Sequence, residues 1–334
     1  MVIQPPPRFA LSQLPTPIER LSLSPDPDKG VEIYVKRDDL TGSILSGNKV
    51  RKLEFLFYDL LASGSTDVIT CGGVQSNHCR AVAAISAMAG VECHLILKGK
   101  EPGTPDGNYF LSKLFGAKAT FVSIADYENN IDDIMRDKAA RLKAREKRPY
   151  IIPEGGTDPL GVWGYIKALS EIKTQAEKAN VTFDTIVTAV GSGGTYAGLY
   201  LGCKIYEWDV DILGFAVCRN TTYFQKRIFD ICLAVENELA ADLRLDPAEI
   251  MIDDRFIGPG YARIGPKETE FIAKIARNSG LVLDPAYTSK ALLGLFTCIS
   301  DGKFSSGSNV LFIHTGGQWG LLPMRGKFIS RGKK

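Results

Sequence analysis

The feature that most restricts this chain is a repeating order of short apolar runs and longer amphipathic runs, separated by glycine-rich or polar punctuation. Apolar stretches of strand length occur at 67–71, 92–97, 119–123, 150–152, 185–190, 211–218 and 310–314, and 32–36 alternates like a strand with one polar face. Between them, apolar residues at helical spacing predict helices near 49–62, 78–89, 108–115, 131–147 and 162–178. Further helices are predicted up to about 206, then over 225–243, 267–278 and 289–298. Such alternation predicts an α/β fold of open, twisted, mostly parallel sheets, because each crossover between parallel strands lays a helix on a sheet face. Ligands of such sheets bind beyond the carboxyl ends of the strands. The loops after Cys71, Ile152, Val190 and His314 are polar and glycine-rich and belong there. No proline- or serine-rich linker divides the chain, so two domains would interleave around one cleft.

Composition narrows the function. The chain has 334 residues, 45% of them hydrophobic, and a net charge of +2, a balance that argues against a dedicated nucleic-acid binder. The basic tail at 325–334 reads as a solvated end. The longest apolar run, 81–91, is too short to cross a bilayer, and residues 1–8 lack the charged-then-apolar order of a signal peptide. A cytoplasmic location is therefore expected, with no membrane partner. The seven cysteines include no CxxC pair, which implies neither a disulfide framework nor a zinc ribbon. They read as reduced core residues, and the neighbours His78–Cys79 and Cys93–His94 are not read as a metal site.

Several loops carry the chemistry. Ser46-Gly47-Asn48-Lys49 delivers a lysine to the first turn of a helix, where Ser46 and Asn48 can cap free N–H groups. A helix start favours anions, so an ammonium there is easier to deprotonate, and a neutral amine is what Schiff-base chemistry requires. Arg51 and Lys52 beside it read as solvated surface residues. Gly191-Ser192-Gly193-Gly194-Thr195 follows an apolar strand and opens a helix, as a phosphate cradle does; a tight turn would look the same. It departs from GxGxxG at Tyr196, yet it keeps open a nicotinamide-dependent oxidoreductase. Gly72-Gly73-Val74-Gln75-Ser76-Asn77-His78 is a second helix-start nest, suited to a carboxylate or a phenolic oxygen, and it does not match GxSxG. Tyr261 and Tyr287 sit on loops before helices, where they could stack on a ring or handle a proton, and Thr315 places an uncharged hydroxyl at a strand end. An amine, a phosphate nest, a carboxylate nest, a stacking tyrosine and a neutral hydroxyl together are what pyridoxal phosphate needs.

With these residues in view, the sequence resembles the D-cysteine desulfhydrase and 1-aminocyclopropane-1-carboxylate deaminase family. The resemblance rests on Lys36-Arg37-Asp38-Asp39, the run from Gly47 to Glu54, Gly73 to His78, Gly191 to Thr195, Asp284-Pro285-Ala286-Tyr287-Thr288 and His314-Thr315-Gly316-Gly317, in order along nearly the whole chain. It implies the tryptophan-synthase-β-like, fold-type-II arrangement of pyridoxal phosphate enzymes, usually homodimeric. A large cofactor-binding domain of residues 1–51 and 161–334 would carry a small inserted α/β domain at 52–160. By resemblance, Lys49 bonds to the cofactor and later moves the Cα proton, Asn77 hydrogen-bonds the phenolic oxygen, and Gly191, Ser192, Gly193, Gly194 and Thr195 hold the phosphate. Gln75, Ser76 and His78 would meet the substrate carboxylate, Tyr287 would flank the pyridine ring, and Tyr261, Thr315 and Gly316 would line the substrate pocket.

The resemblance also separates two activities. Deaminases of the family carry Glu after the tyrosine, Leu before the Gly-Gly pair and Gln after Ser-Asn; here these positions are Thr288, Thr315 and His78. A threonine hydroxyl can donate to an unprotonated pyridine nitrogen, which weakens the electron sink relative to a carboxylate partner and suits expulsion of a good leaving group. The expected activity is β-elimination of a small amino-acid substrate, D-cysteine, to pyruvate, hydrogen sulfide and ammonia. Aminocyclopropane-carboxylate deamination and cysteate sulfo-lyase chemistry are the alternatives on the same scaffold. Ser289 in place of the usual glycine, and Trp319 near the pocket mouth, bear on leaving-group preference.

Overall fold

The computed structural model describes residues 3–329; of the basic tail, 330–334 lie outside the described residues, as do Met1 and Val2. In chain order the strands are β1 (Ile18–Arg20), β2 (Glu32–Lys36), β3 (Asp67–Gly73), β4 (Glu92–Lys98), β5 (Lys118–Val122), β6 (Pro149–Ile151), β7 (Thr185–Val190), β8 (Asp211–Ala216), β9 (Met251–Asp253) and β10 (Asn309–Ile313). The helices are α1 (Asn48–Ala62), α2 (Asn77–Ala89), α3 (Gly107–Leu114), α4 (Ile124–Lys143), α5 (Pro159–Ala179), α6 (Gly194–Ile205), α7 (Thr221–Leu239), α8 (Pro266–Ser279) and α9 (Thr288–Ser300).

Two sheets result. One has the order β1-β2-β10-β7-β8-β9, with β1 antiparallel to β2 and the remaining pairs parallel. The other, β5-β4-β3-β6, is parallel throughout and draws every strand from residues 67–151. The expected α/β architecture of mostly parallel sheets is what the chain forms. Strands β7 and β10 are apolar along both faces because helices cover both: Tyr165, Leu199 and Ile228 of α5, α6 and α7 fill one side, and Ile275, Leu292 and Leu295 of α8 and α9 the other. Helix α1 belongs to both halves. Its Phe55 joins the core under the first sheet, whereas Val50, Leu53, Leu56, Phe57 and Leu60 pack with α2 and the second sheet.

Several boundaries differ from the sequence reading for local reasons. Helix α4 begins at Ile124 rather than 131, because the Ser123 hydroxyl accepts from the Asp126 N–H and starts the helix two turns early. Likewise α7 begins at Thr221, capped by Asn220. Arg51 and Lys52 are not surface residues: they are 2% and 0% exposed. The Arg51 guanidinium donates to both Asp38 oxygens, at 2.8 and 2.7 Å, and to both Glu171 oxygens, at 2.9 and 3.0 Å. Six of the seven cysteines are buried, and all are free thiols. Among the described residues no helix is long and apolar enough to cross a membrane. Arg325 of the tail pairs with Asp106, and Lys327 donates to the Ile264 carbonyl, so this part of it is docked rather than solvated.

Candidate active site

The carboxyl ends of β3, β6, β7 and β10 converge on a cavity of about 710 Å³ between the two sheets. Lys49, Ser76, Asn77, His78, Gly191, Ser192, Gly193, Thr195, Tyr261, Tyr287 and Thr315, all expected at the site, line it.

Lys49 enters at the start of α1. The expected caps do not form: Ser46 donates to the Asp39 carbonyl, Asn48 donates to the Thr195 hydroxyl at 3.0 Å, and the helix opens on Gly47 with no side-chain cap. Gly47 is required there, since its φ is +108° and a Cβ would stand 2.7 Å from the Thr315 carbonyl. The Asn48 N–H donates to that same carbonyl at 3.1 Å, tying the lysine turn to the end of β10. The half-buried Lys49 amine faces the cavity, 5.9 Å from the centre of the Tyr287 ring. Burial lowers its pKa to about 8, against the opposing pull of Glu154 and Asp284. Tyr287 and Tyr261 stand edge to face with their hydroxyls 2.7 Å apart.

The turn between β7 and α6 presents a helix start with no side-chain cap, Gly193 having φ +91°. Its N–H groups are open to an anion. Ser192 and Thr157 share a hydroxyl hydrogen bond of 2.7 Å, and Arg227 donates to the Ser192 carbonyl. Lys52, one turn beyond Lys49, reaches the same turn and lies 3.4 Å from the Gly155 carbonyl and 3.3 Å from the Thr157 hydroxyl. A Cβ at Gly194 would fall 2.5 Å from the Lys52 Nζ, so only glycine leaves room for that amine. Lys52 and Thr157 escaped the sequence reading, although Lys52 is spaced i, i+3 from Lys49 and Thr157 ends a loop already recognised as glycine-rich.

At the second nest, Ser76 caps α2 by accepting from the Cys79 N–H, and Asn77 Oδ1 accepts from Asn108, which leaves Asn77 Nδ2 as the donor available to the cavity. Thr70 spends its hydroxyl hydrogen on the Ile152 carbonyl, so the His78 Nε2–H donates to Thr70 and Nδ1 remains a buried acceptor without a partner. Burial together with Lys49 and Lys52 holds His78 well below the usual imidazole range, hence neutral.

Four expectations are corrected. The Gln75 amide turns from the cavity to the start of α3, donating to Asp106 and accepting from Asn108, because those backbone groups need partners. Thr288 is fully buried, and Asp284 accepts from the N–H groups of Ala286, Tyr287 and Thr288; the Thr288 hydroxyl donates to the Asp284 carboxylate, accepts from the Asp284 N–H and does not line the cavity. Gly316 packs on Gly47 behind the wall. Trp319 lies in the 3₁₀ segment Gln318–Lys327, which packs on α3, and is not part of the cavity wall. Thr315 does line the cavity, and its hydroxyl makes no hydrogen bond within the described residues.

This donor set fits pyridoxal phosphate: an amine with a lowered pKa, an uncapped helix start backed by a buried lysine where no Cβ intrudes, and free amide and hydroxyl donors between them. Comparison with known proteins agrees. The Arabidopsis thaliana protein named bifunctional D-cysteine desulfhydrase/1-aminocyclopropane-1-carboxylate deaminase, mitochondrial, is 40% identical over 323 residues, covering 94% of this chain and 79% of the relative. A Serratia proteamaculans D-cysteine desulfhydrase is 36% identical over 316 residues, 93% of this chain and 94% of the relative. A crystal structure described as an ACC deaminase homologue superposes with a TM-score of 0.88 at 36% identity, covering 97% of this chain and 96% of that one. With residues 10–316 also matching the family described as pyridoxal-phosphate dependent enzyme, the chain belongs to that family and pyridoxal phosphate is its cofactor.

Proposed function

We propose that the enzyme is a β-eliminating lyase that converts D-cysteine and water to pyruvate, hydrogen sulfide and ammonia. The observation that carries the reading is Thr315. It puts a free, uncharged hydroxyl into the cavity, while the position after Tyr287 holds a threonine whose hydroxyl is tied to the buried Asp284, so neither offers a carboxylate to a ring nitrogen. Bound pyridoxal phosphate supplies the electron sink that makes a substrate Cα proton acidic.

The chain's own groups do the rest. The N–H groups of Gly191 to Thr195, with Lys52, hold the phosphate, and Asn77 Nδ2 donates to the phenolic oxygen. Tyr287 flanks the ring, and Thr315 donates to its nitrogen. Ser76 and the start of α2 receive the substrate carboxylate, with neutral His78 behind them. The Lys49 amine, neutral in this cavity, would take the Cα proton as thiolate leaves. Tyr261, hydrogen-bonded to Tyr287, borders the leaving group. The four-stranded sheet supports a division into residues 1–51 with 161–334 and an inserted 52–160, and the family likeness supports a homodimer.

Deaminase chemistry is the second reading, because the Arabidopsis relative carries both activities in its name. A panel of D-cysteine, L-cysteine, cysteate, D-serine, β-chloro-D-alanine and aminocyclopropane carboxylate, scored for keto acid and sulfide, tests the pair. Sulfide with keto acid from D-cysteine is expected. Keto acid from aminocyclopropane carboxylate alone would replace this reading with the second.

A further inference from the structure

We propose that Glu154 reads the β-substituent of the substrate: it admits amino acids whose β-group is a neutral hydrogen-bond donor or a cation and disfavours those carrying a second anion there. The inference rests on the lyase reading above and names its substrate class.

Glu154 stands on the tight turn after β6, between Pro153 and Gly155, and its side chain lines the cavity with Lys49 and Ser76. Strand β6 pairs with β3, whose end leads into the Ser76 nest, so the turn borders a substrate held there by its α-carboxylate. The Tyr127 hydroxyl on α4 donates to Glu154 Oε1 at 2.6 Å. Burial and neighbouring acidic groups push that hydroxyl far above the usual phenol range, so it stays a donor. One carboxylate oxygen is thus pinned, and the other makes no hydrogen bond within the described residues. The charge reaches the reacting groups, acting on the Lys49 amine and on both cavity tyrosines.

Of the other charged groups on the wall, Lys98 and Glu128 neutralise each other at 3.0 Å over the Tyr127 ring, while Arg219, stacked on Tyr223, and Arg227, donating to the Ser192 carbonyl, keep their charge. Arg263 and Asp132, of opposite sign, complete the wall. A thiol, hydroxyl or ammonium can donate to the open Glu154 oxygen. A sulfonate or carboxylate at the β-position would meet a like charge; with Glu154 exposed and screened by solvent, the contact lowers binding about tenfold.

The test compares wild type and Glu154→Gln for kcat/KM on D-cysteine and on both cysteate enantiomers, with β-chloro-D-alanine as a substrate lacking both donor and charge. Removing the charge is expected to shift the cysteine-to-cysteate ratio by about tenfold toward cysteate. A purely structural loss would lower all substrates in proportion and leave the ratio within about twofold, which overturns the proposal. Tyr127→Phe, which keeps the charge, should hold the ratio within about threefold; a shift as large as that of E154Q assigns selection to the tyrosine instead. Should no amino acid be turned over, the lyase reading fails by itself. The same ligands are then titrated against the visible absorbance of the bound cofactor, and an E154Q dissociation-constant ratio equal to wild type rejects the role of Glu154.

Discussion

Lys49 gives the sharpest prediction because its environment fixes a measurable pH. Taking its amine from the ordinary 10.5 to about 8 raises the neutral fraction at pH 7 from roughly 0.03% to roughly 9%, a gain of roughly 300-fold. Only the neutral amine attacks an aldehyde. Protonation is the unproductive state, so the rate must rise with pH, and it stops rising once pH exceeds the amine's own pKa. Apoprotein mixed with pyridoxal phosphate in a stopped-flow spectrometer, from pH 6 to 10, should capture the aldehyde about tenfold faster per pH unit at first and level off near pH 8. Borohydride reduction and peptide mapping should place the label on Lys49, and Lys49→Ala should abolish the fast phase. A rate still climbing tenfold per unit between pH 8.5 and 10, or a label on another lysine, would refute the claim that burial activates this amine.

Two further predictions concern groups around it. Lys52→Met should weaken cofactor binding about 10- to 100-fold by removing a buried amine donor to the phosphate, whose charge offsets the burial that lowers the Lys52 pKa. Gly194→Ala should do the same by pressing a methyl group onto that amine, and both are read by equilibrium dialysis at fixed pH. Thr288→Val should lower the unfolding free energy by about 1–3 kcal/mol, the cost of losing the buried hydroxyl that bonds the Asp284 N–H and carboxylate. Thr315→Val should instead shift the cofactor's visible absorbance maximum, and the reverse pattern would return Thr288 to the ring.

Legibility followed the range of the interactions. Strand order along the chain, the anion nests and the lysine turn were readable because glycine spacing and apolar period act over a few residues. The fates of Arg51 and Lys52 were not. One is buried by Asp38 and Glu171 and the other by Thr157, contacts 13 to 120 residues away along the chain. Thr288 misled for a different reason: a hydroxyl one residue from a cavity tyrosine can serve either a ring or a buried neighbour, and here the Asp284 carboxylate takes it. Glu154 sits in a Pro-Glu-Gly-Gly turn already placed at the ligand-binding end of the strands, but its pairing with Tyr127 depends on α4, which the sequence starts seven residues later.

Arg51 grips Asp38 and Glu171 only two residues after Lys49. The nucleophile is thereby moored to the six-stranded side, as is the phosphate turn, while Ser76, Asn77 and Tyr127 ride with the four-stranded side. The span from amine to phosphate turn is thus set within one half of the molecule, whereas the span from amine to the Ser76 nest crosses from one sheet to the other, with α1 packed into both cores.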